Sequence, residues 1–260
     1  MNSSLIFFFT DFGAEGLYTG QMEAVIRQQL PHASVISLLN NAPRGDPRRS
    51  AYLLAALSRQ LPEGCVVLAV VDPGVGGERN AVALRADGRW YVGPDNGLLN
   101  GVAVQARAAE WRIIDWRPKR LSSSFHGRDV FAPIAARIAL GDFGWAHHTS
   151  SSPDLTGWTC DLPEIIYLDH FGNALSGLRH TALLDARVLT VNGIPISRAT
   201  TFCSVPAGEP LWYVNSIGLV EIAVNQGRTD VLLGPNLLGA VLHFSDRKQS
   251  SSRKAQTARV

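Results

Sequence analysis

The sequence predicts a two-part protein: an α/β domain built on a mostly parallel sheet over residues 1–142, then an all-β, barrel-like domain over 164–245. Three observations carry that prediction. Apolar runs of strand length alternate with segments of helical spacing as far as Asp142, the pattern of strands joined by crossover helices. A stretch rich in Gly, Ser, Thr, His and Pro follows, centred on Ser150-Ser151-Ser152-Pro153, and reads as a linker over 143–163. Beyond it the helical period disappears, and short β-type runs are separated by glycines and prolines.

Leu5–Thr10 opens the chain as a core strand; its apolar run is too short for a secretory h-region or a bilayer crossing. Leu17–Gln29 has helical spacing and Val35–Leu39 reads as the second strand. Asp46 supplies an N-cap and Pro47 suits the first helical position, so a helix is expected over Pro47–Arg59. Val66–Val71 is an unbroken apolar run ending in Asp72-Pro73-Gly74, as expected of a central strand buried on both faces. Val82–Leu84 and Trp90–Val92 flank Asp87-Gly88 and predict a hairpin. Arg128–Leu140 returns to helical spacing before the Gly141 break. In the second half, strands are expected at Ile165–Leu168, Val188–Val191, Leu211–Val214, Val220–Val224 and Val241–Phe244. Residues 246–260 offer little to bury and are expected to form a disordered basic tail.

Composition narrows the class. Of 260 residues, 46% are apolar and 18% charged, which suits a folded globular chain. The net charge is +2, but five basic residues against Asp246 leave +4 in the tail and −2 before it. No large positive field is expected, and hence no nucleic-acid partner. Cys65, Cys160 and Cys203 have no C-x-x-C spacing, which argues against a disulfide framework or zinc knuckle and points to a reducing cytoplasm. No membrane association is expected.

In an open α/β sheet, ligands bind where loops converge at the carboxyl ends of strands. Polar residues cluster there at 10–13, 71–76, 93–97 and 124–129. The glycines at 74, 76 and 77 lack the spacing of a dinucleotide or phosphate loop, and a tight turn explains them equally well. Asp11 could accept hydrogen bonds from a ribose diol, with a turn or capping role as the alternative. Asp72, Arg79 and His126 combine a carboxylate, a permanent cation and an imidazole, a set able to orient and polarise a water. Metal ligation by His126 with Asp72 or Asp129 is the other option, although no H-x-x-x-H or similar spacing supports it, and no metal is expected. His147-His148 lies in the linker and is expected to be solvated.

Several motifs in order resemble one family. They are T-D-F-G at 10–13 with Tyr18 and Gly20, V-V-D-P-G-V-G at 70–76 with Arg79, and V-G-P-D-N-G at 92–97. S-S-x-F-H-G-R-D-x-F-A-P at 122–133, D-x-F-G-N at 169–173 and N-S-x-G-x-x-E-I-A-V-N-x-G at 215–227 complete the series. The chain from Thr10 to Gly227 thereby resembles the S-adenosyl-L-methionine (SAM) hydrolases, or SAM hydroxide adenosyltransferases, relatives of the SAM-dependent fluorinating and chlorinating enzymes. The resemblance implies a Rossmann-like α/β domain followed by a β-barrel, and a homotrimer holding the nucleoside between neighbouring subunits. It implies that Asp72, Arg79 and His126 handle a water and that Asp11 binds the ribose. Asn96, Asn173, Phe202, Ser216, Glu221 and the backbone near Val224 are implied in substrate binding, Phe202 by packing on adenine.

The implied reaction is attack of water on C5′ of SAM, giving adenosine and methionine. SAM is then the substrate and no cofactor is called for. The sulfonium leaves as neutral methionine without protonation, so the protein must mainly position one water. A carboxylate at position 72 disfavours halide, since like unit charges 4 Å apart repel by about 4 kcal/mol at an effective dielectric of about 20. A SAM-dependent halogenase is therefore a weaker alternative, and a non-catalytic SAM- or adenosine-binding protein would carry the same motifs. Two departures, Asn40-Asn41 in place of a histidine and Ala174-Leu175-Ser176 after the D-x-F-G-N motif, fall where contacts to the methionine moiety are implied.

Overall fold

The computed structural model describes residues 4–145 and 153–246, arranged as a mixed α/β protein with two sheets. His147-His148 and the basic tail from Arg247 onward lie outside the described residues.

The first sheet has six strands: β1 (Leu5–Thr10), β2 (Ser34–Leu39), β3 (Val66–Val70), β4 (Ala81–Ala86), β5 (Arg89–Pro94) and β6 (Ala109–Ile113), in spatial order β2-β1-β3-β5-β4-β6. The β2-β1-β3-β5 pairings are parallel, and β4 alone runs against its neighbours, so the expectation of a mostly parallel sheet holds. Period-two alternation divides the buried side chains between two layers. Phe7, Phe9, Val67 and Ala69 face α2 (Pro47–Ser58) and α3 (Asn100–Gln105), while Ile6, Phe8, Val66 and Leu68 face α1 (Leu17–Gln29) and α4 (Ala132–Ala139).

The local signals explain the elements. Asp46 caps α2 by accepting from Arg49 N at 2.9 Å, with Pro47 at the first position. Asp87 and Gly88 both take positive φ, the conformation of a two-residue hairpin turn between β4 and β5. The segment expected as one helix over Arg128–Leu140 is instead a π-helical turn, Gly127–Phe131, that passes into α4. Such wide turns recur at functional sites, and this one directly follows His126.

The second sheet comprises β7 (Leu162–Leu168), β8 (Ala174–Arg179), β9 (Arg187–Val191), β10 (Ile194–Arg198), β11 (Pro210–Val214), β12 (Leu219–Val224) and β13 (His243–Asp246). Its order is β13-β9-β10-β11-β12-β8-β7, antiparallel except between β10 and β11. A bridge between Glu164 and Val241 ties β7 to the chain just before β13, so the sheet curls towards its own far edge. The second half is not purely β: a short helix, α5 (Thr229–Leu233), packs beside β12.

The sheets are not independent. Leu162, Ile166, Leu175 and Leu219 share a core with Tyr52 and Leu54 of α2. Residues 153–161, inside the stretch expected to be a linker, are fastened to the first half by Tyr52 Oη donating to Thr159 O at 3.0 Å and Asn100 Nδ2 to Asp154 O at 3.1 Å. Trp158 stacks on Tyr52 with ring centroids 5.7 Å apart.

Candidate active site

Adjacent parallel strands β1 and β3 end in register, Thr10 opposite Val70, so Asp11 and Asp72 leave the sheet side by side. The loop after β3 is folded tightly against the segment that carries His126. Gly76 has φ of +82°, and a Cβ there would run into the carbonyl oxygen of Ser123. Only glycine permits this approach, which brings Arg79 and His126 to one place despite a separation of 47 positions in sequence.

Arg79 organises the cluster. Its Nε donates to Asp72 Oδ1 at 2.8 Å, its Nη2 donates to Asp72 Oδ2, and Nη2 also meets His126 Nδ1 at 3.2 Å. The Asp72 and Arg79 side chains are only 4% and 11% exposed, so this fork is a nearly buried ion pair. Arginine can only donate, which makes His126 Nδ1 an acceptor and puts the imidazole proton on Nε2 by hydrogen-bond accounting. Burial lowers the His126 pKa from its usual value, and the Arg79 charge lowers it further. The neutral tautomer is therefore favoured both by geometry and by electrostatics.

The segment bearing His126 has its own support. Asp129 accepts from Ser122 N at 2.7 Å and from Arg128 Nε at 2.6 Å, while Arg128 Nη1 reaches Gln21 of α1 at 3.0 Å. Both acids considered as metal partners of His126 thus have cationic partners of their own. Among the described residues, no three His, Cys, Asp or Glu side chains gather as a metal site.

Asp11, Asp72 and His126 line one cavity of about 290 Å³, together with Arg44, Val75 and the rings of Phe12, Tyr18 and Phe125. The three rings touch one another at centroid distances of 5.0–6.0 Å and form an apolar wall beside the acids. Asp11 Oδ2 accepts from Gly45 N at 2.8 Å, so this carboxylate also fixes the loop before α2. His126 and Arg79 face a second cavity of about 380 Å³ behind the cluster, lined also by Glu78, Arg117 and Ser123. The cluster forms the partition between the two.

Asn173, Phe202, Ser216, Glu221 and Val224 are brought together in another cavity, of about 790 Å³, that runs along β11 and β12 of the second sheet. Glu221 is 5% exposed and lacks a cationic partner among the described residues; Tyr213 Oη donates to Oε1, and Asn215 Nδ2 to Oε2 at 2.8 Å. Burial raises its pKa above the usual carboxylate range, and burial beside Glu221 also drives the Tyr213 phenol upward. Asn173 donates to Asp169 through both its backbone, at 2.8 Å, and its side chain, at 3.0 Å. Phe202 packs edge-on against Tyr213.

Asn96 joins neither group. Its side chain donates to Val71 O at 2.9 Å and accepts from Leu98 N at 3.2 Å, binding the loop after β5 to the end of β3. Residues that sequence reasoning did not single out include Tyr213 and Arg44, which carry no signal by spacing. Phe171 lies within the quoted D-x-F-G-N motif, and its 72% exposure beside the second cavity marks an aromatic ring without a cover.

The SAM hydroxide adenosyltransferase N-terminal domain family model matches residues 6–146, and the corresponding C-terminal domain matches residues 163–241. A protein of Salinispora arenicola named (R)-S-adenosyl-L-methionine hydrolase is 41% identical over 250 residues, covering 88% of this chain and 93% of that one. A Thermus thermophilus protein of the same name is 40% identical over 254 residues, covering 88% and 95%. Among solved structures, an uncharacterized conserved protein from Thermotoga maritima superposes with a TM-score of 0.80 at 30% identity, covering 92% of this chain and 99% of that one. A conserved hypothetical protein from Thermus thermophilus superposes with a TM-score of 0.73 at 36% identity, covering 93% and 100%. With both halves matched and near-full-length relatives at such identity, this chain belongs to the SAM hydroxide adenosyltransferase family.

Proposed function

We propose that the protein hydrolyses S-adenosyl-L-methionine to adenosine and L-methionine. Its named relatives act on the (R) sulfonium epimer, and we extend that preference to this chain. The observation that carries the mechanism is the Asp72–Arg79–His126 cluster beside Asp11 on one cavity wall. Asp11 takes the ribose hydroxyls. Each Asp72 oxygen gives one lone pair to Arg79 and keeps another for a water O–H. His126, neutral and protonated on Nε2, contributes a donor to the water oxygen. The water oxygen bonds to C5′ as the C5′–S bond breaks, and the bonding pair stays on sulfur. The water's proton goes to Asp72 and then to solvent. Positioning in a site walled by Phe12, Tyr18 and Phe125 supplies most of the acceleration. No cofactor enters this scheme.

The preference for water over halide needs a different basis from the one the sequence suggested. Arg79 neutralises Asp72, so the repulsion exerted by a lone carboxylate is largely cancelled. Halide is disfavoured instead because the Asp72 oxygens are acceptors and cannot replace an anion's hydration shell.

The wider proposal is a homotrimer whose sites combine the Asp11–Asp72 cavity of one subunit with the Asn173–Glu221 cavity of the next. It rests on the division of the candidate residues between two cavities that share no lining residue. We read the first sheet as the core of a Rossmann-like domain and the second as a barrel, supported by the Glu164–Val241 bridge. The three unpaired cysteines suit a cytoplasmic setting, and no helix among the described residues is long and apolar enough to cross a membrane. The direct test incubates the purified protein with SAM and follows adenosine and methionine by chromatography, beside Asp72→Ala. Release by the wild type alone supports hydrolysis. Tight binding without release would favour a nucleoside-binding protein instead.

A further inference from the structure

The substrate in this reading carries a carboxylate on its methionine moiety, and such a group is costly to bury without a cation. The cations around the three cavities are almost all committed. Arg79 is forked onto Asp72, Arg228 onto Asp230 and His170 O, and Arg117 donates to Ile114 O and Trp116 O. Arg44 is different: it lines the Asp11–Asp72 cavity, and its guanidinium meets no acceptor among the described residues.

Its position is nonetheless fixed. On one side, Gly45 N donates to Asp11 Oδ2 at 2.8 Å; on the other, Pro43 O accepts from Asp46 N at 3.1 Å and Ser50 Oγ at 3.3 Å. The backbone is pinned at both neighbours while the side chain stays available. Asn40 and Asn41, at one of the departures from the family pattern, are uncharged and cannot form an ion pair. Of the cavity's acids, Asp11 would repel a carboxylate and Asp72 is already neutralised by Arg79, while Tyr18 and the neutral His126 carry no positive charge, so Arg44 is the cation lining this cavity.

We propose that Arg44 is the receptor for the α-carboxylate of the substrate's methionine moiety, making this site selective for sulfonium nucleosides that carry a carboxylate. A guanidinium presents two parallel donors to a carboxylate, a geometry that lysine cannot reproduce. Asp11 then holds the nucleoside by its ribose and Arg44 holds the leaving group by its far end, so the C5′–S bond is suspended between two fixed points. The inference rests on the hydrolase reading, and its test includes a binding measurement that needs no turnover.

The experiment compares SAM, decarboxylated SAM and adenosine with the wild type, Arg44→Gln and Arg44→Lys. The wild type should favour SAM over decarboxylated SAM by about tenfold or more in kcat/KM, the size of one charge-assisted interaction. Arg44→Gln should abolish that preference by raising KM for SAM at nearly unchanged kcat, leave decarboxylated SAM within about twofold, and leave adenosine binding intact. Arg44→Lys should retain part of the preference. Equal effects of Arg44→Gln on both sulfonium compounds, or no effect on either, would overturn the assignment. Calorimetric titration with SAM separates the two claims: Arg44-dependent SAM binding without adenosine release would sink the hydrolase reading and leave this one standing. Absence of SAM binding by the wild type would sink both.

Discussion

Truncating Asp72 should damage folding and catalysis by different amounts, and the structure allows both to be sized. The Asp72–Arg79 pair is nearly withdrawn from solvent, at 4% and 11% exposure, and is joined through both carboxylate oxygens. Asp72→Ala leaves the Arg79 charge without its counter-ion, and breaking a buried pair in this way costs about 3–5 kcal/mol. For a chain of this size, about 2–4 °C per kcal/mol gives a fall of about 6–20 °C in Tm. Removing the proton acceptor should lower kcat by about 10²–10⁴-fold. Asp72→Asn keeps the shape and one acceptor, so it should lose activity with a smaller loss of stability. Asp72→Leu with Arg79→Leu should be less destabilised than the two single substitutions summed, because no charge is left behind. Urea unfolding measures the first quantity, adenosine release the second, and adenosine titration confirms that the ribose site survives. Additive single substitutions would refute the coupled pair, and adenosine release within tenfold of the wild type by Asp72→Asn would refute the role of the carboxylate.

Two further outcomes follow from the geometry. His126 has a depressed pKa, so activity should stay level as pH falls through about 6.5, the unperturbed histidine value, and decline only below it. The same group contributes stability that is complete above its unfolded pKa and is lost as pH falls towards its folded pKa; a pH–rate profile breaking at or above the unperturbed value would contradict the neutral imidazole. If sites are shared between subunits, mixing Asp72→Ala with Ser216→Trp, each inactive alone, should restore about a quarter of the wild-type activity after random subunit exchange across head-to-tail interfaces. No recovery would place each site within one chain.

Much of the first half was legible because its signals are local. Asp46-Pro47 marks the start of α2, the unbroken run at Val66–Val70 marks a doubly buried strand, and Asp87-Gly88 marks a hairpin. What escaped lacks a clean period or departs from it. Asn100–Gln105 is a helix of six residues, too short to show an amphipathic face, and Ala109–Ile113 is an edge strand bearing Glu110 and Arg112. The π-helical turn at Gly127–Phe131 has a wider repeat than the helical spacing used to find it. In the second half, β10 was missed although Asn192-Gly193, both at positive φ, is a strong two-residue hairpin signal. At the site, chain order placed Asp72 and Arg79 near each other, and Gly76 against Ser123 brings in His126. The separation of the candidate residues into two cavities, and the uncommitted guanidinium of Arg44, depend on three-dimensional placement that no spacing encodes.

The most direct measurement of the central claim is hydrolysis of SAM in water enriched in oxygen-18, followed by mass spectrometry of both products. Attack of the held water on C5′ places one heavy oxygen on the 5′ carbon of adenosine and none in methionine. Unlabelled adenosine, or label carried instead on a fragment of the amino-acid moiety, would contradict it.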